Sequence, residues 1–351
     1  MTVLNNSQLE CPRCHSLMRL RSSFAGKRRA KCEGCGYFPF AEKCIKKDVG
    51  YVETSVQASV NVLTQDKQAK IADVTVRGDI EVFPIETTVG EVADGCSHYF
   101  IPDLQCRDDE DLAYCSWIGG HIADVKPDVI INIGDHADMA SLSYYDKGTA
   151  KGEGRRVCAD IESAIEGMNR LLRPIYDIQQ AELKEHGEII YKPRMILTLG
   201  NHEHRINRHV ESNPALVGFL STDSLRYKDF GWEVYDFLVP AMANGVAYAH
   251  FFANPLTGRP YGGTIMNVLK NVGESFSMGH VQKFDMHMRY LPATGRRQMA
   301  LVCGAAYPHD EDYKGPQGNH HFRGTIVKTN VSQGGYDIAL SSLSTLKELY
   351  G

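Results

Sequence analysis

Apolar residues in this chain gather in short runs, and several of those runs end on reactive side chains. Val129–Ile133, Met195–Leu199 and Glu274–Met278 each read as a strand, and each is followed at once by glycine and then Asp, Asn or His. Short runs of this kind, bounded by glycine, suit strands buried in a parallel sheet. Further strands are expected at Tyr99–Pro102, leading into Asp103, and at 246–252, 275–278, 299–303 and 324–339. Helical periodicity runs over 109–125. It runs again over 155–185, where Pro174 predicts a break or a helix pair. From about residue 96 the alternation of strand and helix predicts an α/β fold, with two sheets packed as a sandwich. Upstream, Val74, Val76, Ile80 and Val82 alternate like a small edge hairpin, while 51–66 is polar and β-branched without helical period. Three segments follow: 1–48, a linker with edge strands over 49–95, and the main domain over 96–351.

Composition narrows the class. Among 351 residues, 43% are hydrophobic and 23% charged, as in ordinary globular chains. No apolar run approaches the roughly 18 residues of a membrane span, so no membrane partner is expected. The N-terminus lacks the basic and apolar regions of a secretory signal. Ten cysteines, four of them at metal spacing, suit a reducing compartment, and the expectation is an intracellular, cytoplasmic protein. Cys106 and Cys115 read as packed thiols.

Charge separates the N-terminal segment from the rest. Residues 1–48 hold ten Lys/Arg against four Asp/Glu, a balance of +6; with the chain at −5, the remainder carries −11. A basic head on an acidic body predicts a polyanionic partner, DNA or RNA. Within that head, Cys11, Cys14, Cys32 and Cys35 form two C-x2-C knuckles, the spacing of a zinc ribbon. Four thiolates would close a tetrahedral site, so the Zn2+ expected there is structural. The stretch between the knuckles, from Met18 to Arg29, predicts a basic hairpin carrying Phe24.

The polar ends of the three apolar runs carry the chemistry: Gly134-Asp135-His136-Ala137-Asp138, Gly200-Asn201-His202-Glu203 and Gly279-His280-Val281-Gln282. Their order and residue types resemble the calcineurin-like metallophosphoesterase superfamily, and most closely its phage and prophage members. The loop Ala140–Gly148 and the run from Asn201 through Arg205 to Asn213 share in that likeness. The resemblance implies a dinuclear site: Asp135 bridging two divalent cations, Asn201, His250 and His280 completing one site, and Asp103 opening the other. His287 competes with His250 for its place; the strand-like Val246–Ala249 favours His250. Where the family has histidines, this chain has Gln105 and Gln282, both belonging to the first site. A set of Asp103, Gln105, Asp135 and Gln282 is all oxygen and favours Mn2+ or Mg2+. By the same resemblance, water activated between the cations attacks phosphorus in line, His202 acts as acid or charge stabiliser, and Asp138 orients it. Arg205, His136 and His321 are candidates for substrate contact; Met139 replaces the arginine of the protein phosphatases. The expected activity is phosphodiester hydrolysis in nucleic acid. The alternatives are a phosphoesterase for nucleotides or other small esters, and a nucleic-acid-binding protein with a decayed site.

Overall fold

The computed structural model describes residues 80–311 and 314–351 (the Lys151 side chain excepted) and, before them, only the backbone of five strands. The chain divides into two compact units, Met1–Ala69 and Lys70–Gly351. In the first, β1 (Leu9–Glu10), β2 (Leu17–Phe24), β3 (Lys27–Cys32) and β4 (Ile45–Lys46) form an antiparallel sheet in the order β3-β2-β1-β4. The basic stretch between the knuckles is therefore a hairpin, with Arg19 opposite Lys31 and Arg21 opposite Arg29. Cys11, Cys14 and Cys35 lie outside the described residues, and of Cys32 only the backbone at the end of β3 is described, so the zinc expectation lies outside them too.

The second unit begins with a hairpin of β5 (Val74–Val76) and β6 (Ile80–Val82). It continues through β7 (Cys96–Ile101), α1 (Ala113–Val125), β8 (Val129–Asn132), α2 (Val157–His186), β9 (Arg194–Thr198), α3 (His204–Ser212) and β10 (Glu233–Tyr235). Then come β11 (Ala241–Ala243), β12 (Val246–Tyr248), α4 (Ile265–Val272), β13 (Ser275–Met278), β14 (Phe284–Tyr290), β15 (Arg297–Cys303), β16 (Gly324–Ser332), β17 (Gly335–Ser342) and α5 (Leu343–Tyr350). Two mixed sheets result, ordered β10-β9-β8-β7-β16-β17 and β11-β12-β13-β15-β14. This is an α/β architecture. β7, β8 and β9 run parallel in the first sheet, and β12, β13 and β15 in the second.

The two sheets share one core. Phe100, Val129, Ile131 and Ile196 from the first meet Tyr248, Met299, Leu301 and Cys303 from the second. A second cluster seals α1 and α2 against the outer face of the first sheet through Ile118, Ile122, Leu171, Leu172 and Ile175. Burying each such aliphatic side chain stabilises by about 1.5–3 kcal/mol. That packing explains why Pro174 does not break the helix: α2 runs unbroken from Val157 to His186 and ends at Gly187, whose φ of 78° forms the left-handed cap. The apolar face of Leu171, Leu172 and Ile175 outweighs the proline's cost of about 3 kcal/mol. The helix expected from 109 starts at Ala113, where the Asp111 carboxylate takes up the Ala113 N–H at 3.0 Å. Among the described residues no helix is long and apolar enough to cross a membrane.

Candidate metal centre

The polar motifs meet because the parallel strands carrying them end at one edge. The loops after β7 and β8 are zipped together: Leu104 N and Gln105 N donate to Asp135 O at 3.1 and 2.8 Å, Cys106 N to His136 O at 2.7 Å, and Asp138 N back to Cys106 O at 3.2 Å. Glu203 fastens the loop after β9 to them. Its buried carboxylate accepts from Asp135 N at 2.9 Å, Ala137 N at 3.0 Å, Gly200 N at 2.8 Å and Tyr227 Oη at 3.2 Å. The strands approach so closely that a Cβ on Gly200 would overlap the Asp135 carboxylate, and one on Gly279 would overlap Asp103 Oδ1. Four non-glycine residues here take left-handed backbone: Gln105 (φ 46°), Asp135 (50°), Met139 (50°) and His280 (61°). Strain of this kind collects at functional sites and persists only where the surroundings enforce it.

Asp135, Asn201, His250 and His280 form one tight cluster. Asn201 Oδ1 lies 2.9 Å from His250 Nε2 and 2.7 Å from His280 Nδ1, and Asp135 Oδ2 lies 3.2 Å from His250 Nε2. The candidate ligand atoms of Asp135, His250 and His280 all fall within 4.8 Å of one another. His250 Nδ1 donates to Ile133 O at 3.0 Å, which fixes the tautomer and aims Nε2 at the cluster. His287 is not there. It sits on the edge strand β14, opposite Ala300.

Beside the cluster are Asp103, Gln105 and Gln282, and each has a buried oxygen without a hydrogen-bond donor: Asp103 Oδ2, Gln105 Oε1 and Gln282 Oε1. An orphaned buried acceptor costs about 1–3 kcal/mol. Three of them lie on the residues of the all-oxygen set, and oxygen donors are the chemistry that a hard divalent cation takes. Electrostatics agree. Burial pushes the Asp103 carboxyl up to about 7. Burial also opposes ionisation of Asp135, but His202 and His250 hold it below the usual carboxylate range. For His250, burial is outweighed by Asp135 and the imidazole is pushed up to about 9; for His280, burial and the neighbouring His250 push it down to about 4.

These values give a prediction with a definite sign. A ligand must be deprotonated to bind. At pH 7 His280 is ready, His250 holds a proton and Asp103 is half protonated. Divalent-cation affinity should therefore rise with pH from about 6 to 9 and then level off, with roughly one to two protons released per cation at pH 7. Calorimetry in buffers of different ionisation enthalpy measures the release; zero release over that range would contradict the assignment of His250.

His202 stands over the cluster. Its Nδ1 donates to Asp138 Oδ1 at 2.7 Å, and its backbone N–H to Asp135 Oδ1 at 2.9 Å. Nε2 meets opposed influences: Arg205 Nη2 at 3.0 Å favours a lone pair there, whereas Asp135 Oδ2 at 3.7 Å favours a proton. Burial and Arg205 depress the imidazole, but the carboxylates of Asp135 and Asp138 prevail and its pKa is raised. Arg205 is held by Nη1 donating to Asp138 O at 2.9 Å and Met139 O at 3.3 Å, so it is part of the site rather than a surface ion pair.

One substrate-contact expectation changes. His136 is fully buried: Nε2 donates to Ala164 O at 2.8 Å, the ring packs edge-on to Tyr227, and Cys106 Sγ lies 3.9 Å away. It faces the core, where Ala164 and Tyr227 hold it, while Asp135, in left-handed backbone, takes the side toward the cluster. His321 is half-buried on the loop after Gly318, with Nδ1 donating to Gly318 O at 3.3 Å; burial, then Lys314, lower its pKa. Arg107 was not anticipated. It stands two residues beyond Gln105, with Nη2 2.8 Å from Glu110 and Nε 3.8 Å from Asp138 Oδ2. Its signal was present in the sequence: a cation immediately after the first motif.

No protein-family model matches the chain. A stretch of 169 residues is 24% identical to the Gene 54 protein of Mycobacterium phage L5, covering 47% of this chain and 60% of that protein. The chain thus spans less than two thirds of that relative's length.

Proposed function

We propose that this chain is a calcineurin-like metallophosphoesterase that hydrolyses phosphodiester bonds in nucleic acid. The observation that carries the reading is the pairing of three orphaned buried oxygens, on Asp103, Gln105 and Gln282, with the Asp135, Asn201, His250 and His280 cluster. Asp103, Gln105, Asp135 and Gln282 would hold one cation; Asp135, Asn201, His250 and His280 would hold the other. Bound there, two divalent cations such as Mn2+ or Mg2+ would neutralise phosphate charge and lower the pKa of water.

The chain's own groups do the rest. Asp138 holds His202 by Nδ1, and Nε2, which Arg205 Nη2 meets at 3.0 Å, exchanges a proton with the departing oxygen once that contact gives way. Arg205, and Arg107 on the other side of Asp138, place fixed positive charge where the phosphate develops negative charge. The ordered side chains and left-handed backbone hold these groups ready before substrate arrives. Nucleic acid as substrate draws support from the +6 head, six of whose ten basic residues fall on the β2–β3 hairpin. A structural zinc in that head remains part of the proposal, on its cysteine spacing. Likeness to a phage protein fits a phage-encoded enzyme.

The test is hydrolysis of single- and double-stranded DNA and RNA alongside bis(p-nitrophenyl) phosphate, with Mn2+ or Mg2+. Polynucleotide cleavage is expected, and His202→Ala should lower it about 10²- to 10³-fold. Cleavage of the small diester alone would move the assignment to small phosphate esters. Silence on every substrate would indicate a decayed site.

A further inference from the structure

The loop that leaves the site after Asp138 carries a feature the hydrolytic machinery does not use. Met139 lies beside Arg205, Ala140–Leu142 make one tight turn, and the Asp160 carboxylate pins that turn by accepting from Ser141 N at 2.9 Å. Two residues on, Tyr144 and Tyr145 stand 81% and 88% exposed, although Ser143 just before them is buried. Adjacent aromatic rings held this far into water are unusual unless something covers them. Their centroids are 6.2 Å apart and the rings are 83° to each other, an edge-to-face arrangement in which the pair covers little of its own ring faces. The loop beyond is locally ordered: Thr149 Oγ1 donates to Asp146 O at 2.8 Å, and a further turn spans Ala150–Gly152.

Charge names the partner's class. Positions 139–156 hold Lys147, Lys151, Arg155 and Arg156 against Asp146 and Glu153, a balance of +2 within a body that carries −11. Lys147 and Arg156 are exposed. A locally basic segment displaying open aromatic faces is the combination that binds single strands, where phosphates meet cations and bases stack on rings. A duplex does not offer its base faces, because neighbouring bases already cover them. The reach also fits. Five residues lie between Asp138 and Tyr144, at most about 20 Å of chain and less across the tight turn, a few nucleotides from the proposed scissile phosphate.

We infer that Tyr144 and Tyr145 form a base-stacking platform that selects single-stranded nucleic acid, held by the basic loop 139–156 beside the candidate metal centre. The inference rests on the proposed phosphoesterase reading and deepens it by naming the strand form. The test reads binding rather than turnover, so the two can fail separately. A fluorescein-labelled oligothymidylate and a labelled hairpin duplex are titrated by anisotropy, without added divalent cation, onto the full chain, the Tyr144→Ala/Tyr145→Ala variant and the Tyr144→Phe/Tyr145→Phe variant. Melting temperatures check folding; side chains this exposed should leave them unchanged.

The alanine pair should weaken single-strand binding on the order of tenfold per stacked base, the phenylalanine pair by no more than about twofold, since the ring faces remain, and duplex binding should change little. Oligothymidylate affinity that survives in the alanine pair would overturn the inference and leave the tyrosines to a protein partner. Equal losses in the phenylalanine pair, or equal losses on duplex, would also overturn it. Loss of single-strand binding in a chain that hydrolyses nothing would uphold the platform and sink the phosphoesterase reading instead.

Discussion

Asp135→Asn is expected to cut phosphodiester turnover by about a thousandfold or more without unfolding the chain. The substitution keeps the shape and one acceptor: Oδ1 can still take the His202 backbone N–H, now at 2.9 Å. What it removes is the negative charge that both proposed cation sites share. It also removes the 3.2 Å ion pair that raises His250. In the variant His250 should therefore lose its proton at lower pH, and calorimetry at pH 7 should show weaker cation binding together with less proton release. That second readout separates loss of a ligand from a general disturbance, since a merely misfolded site would have no reason to shift proton release in this direction. Rates on bis(p-nitrophenyl) phosphate with Mn2+ provide the first. Wild-type turnover in the asparagine variant would remove Asp135 from the proposed centre.

Much of this candidate site was legible because its candidate ligands follow the sheet's own logic. An apolar run ending in glycine and a polar residue marks where a buried strand emerges, and Asp135, Asn201 and His280 all announce themselves that way. The same logic separated His250 from His287: one lies two residues beyond the strand Val246–Tyr248, whereas the other lies within a strand. What pattern could not reveal were properties of closure in three dimensions. His136 shares a motif with Asp135, yet the loop turns it into the core. Pro174 reads as a helix breaker until the buried face of α2 is known. The strand β14 was missed because its exposed positions, Met286, Met288 and Tyr290, are apolar and hide the usual alternation. Arg107 belongs to the site only because the first two loops are zipped together.

Backbone geometry at the centre was equally hidden. Left-handed conformations are ordinarily signalled by glycine, but here Gln105, Asp135, Met139 and His280 adopt them. Asp and His tolerate this region better than most residues; Gln and Met do so less readily. A chain that holds four such residues around one cluster must fix them from outside, and for Asp135 and Gln105 the hydrogen bonds that do so lead back to Glu203.

Glu203→Ala should accordingly be the most destabilising single change in the site, although the Glu203 carboxylate is not among the proposed cation ligands. Its carboxylate is wholly buried and accepts three backbone N–H groups and one phenol, from Asp135, Ala137, Gly200 and Tyr227. Alanine would orphan all four donors in a place water does not reach. At about 1–3 kcal/mol for each unsatisfied buried group, with part of the loss recovered by relaxation, a net cost of about 4 kcal/mol is expected. Against a typical total of about 5–15 kcal/mol, that is a large share, and in a unit of this size it corresponds to a fall of roughly 8–15 °C in melting temperature. Glu203→Gln should cost about half as much, because one acceptor oxygen survives while the amide NH2 is turned against a backbone N–H. The order alanine, glutamine, wild type in urea midpoints is the signature of an acceptor holding the two motif loops together. Glutamine and alanine variants that unfold with the wild type would show that the loops hold their strained shape without it. A glutamine variant that is stable yet binds cations weakly would show that the carboxylate's charge acts on the site in addition to its hydrogen bonds.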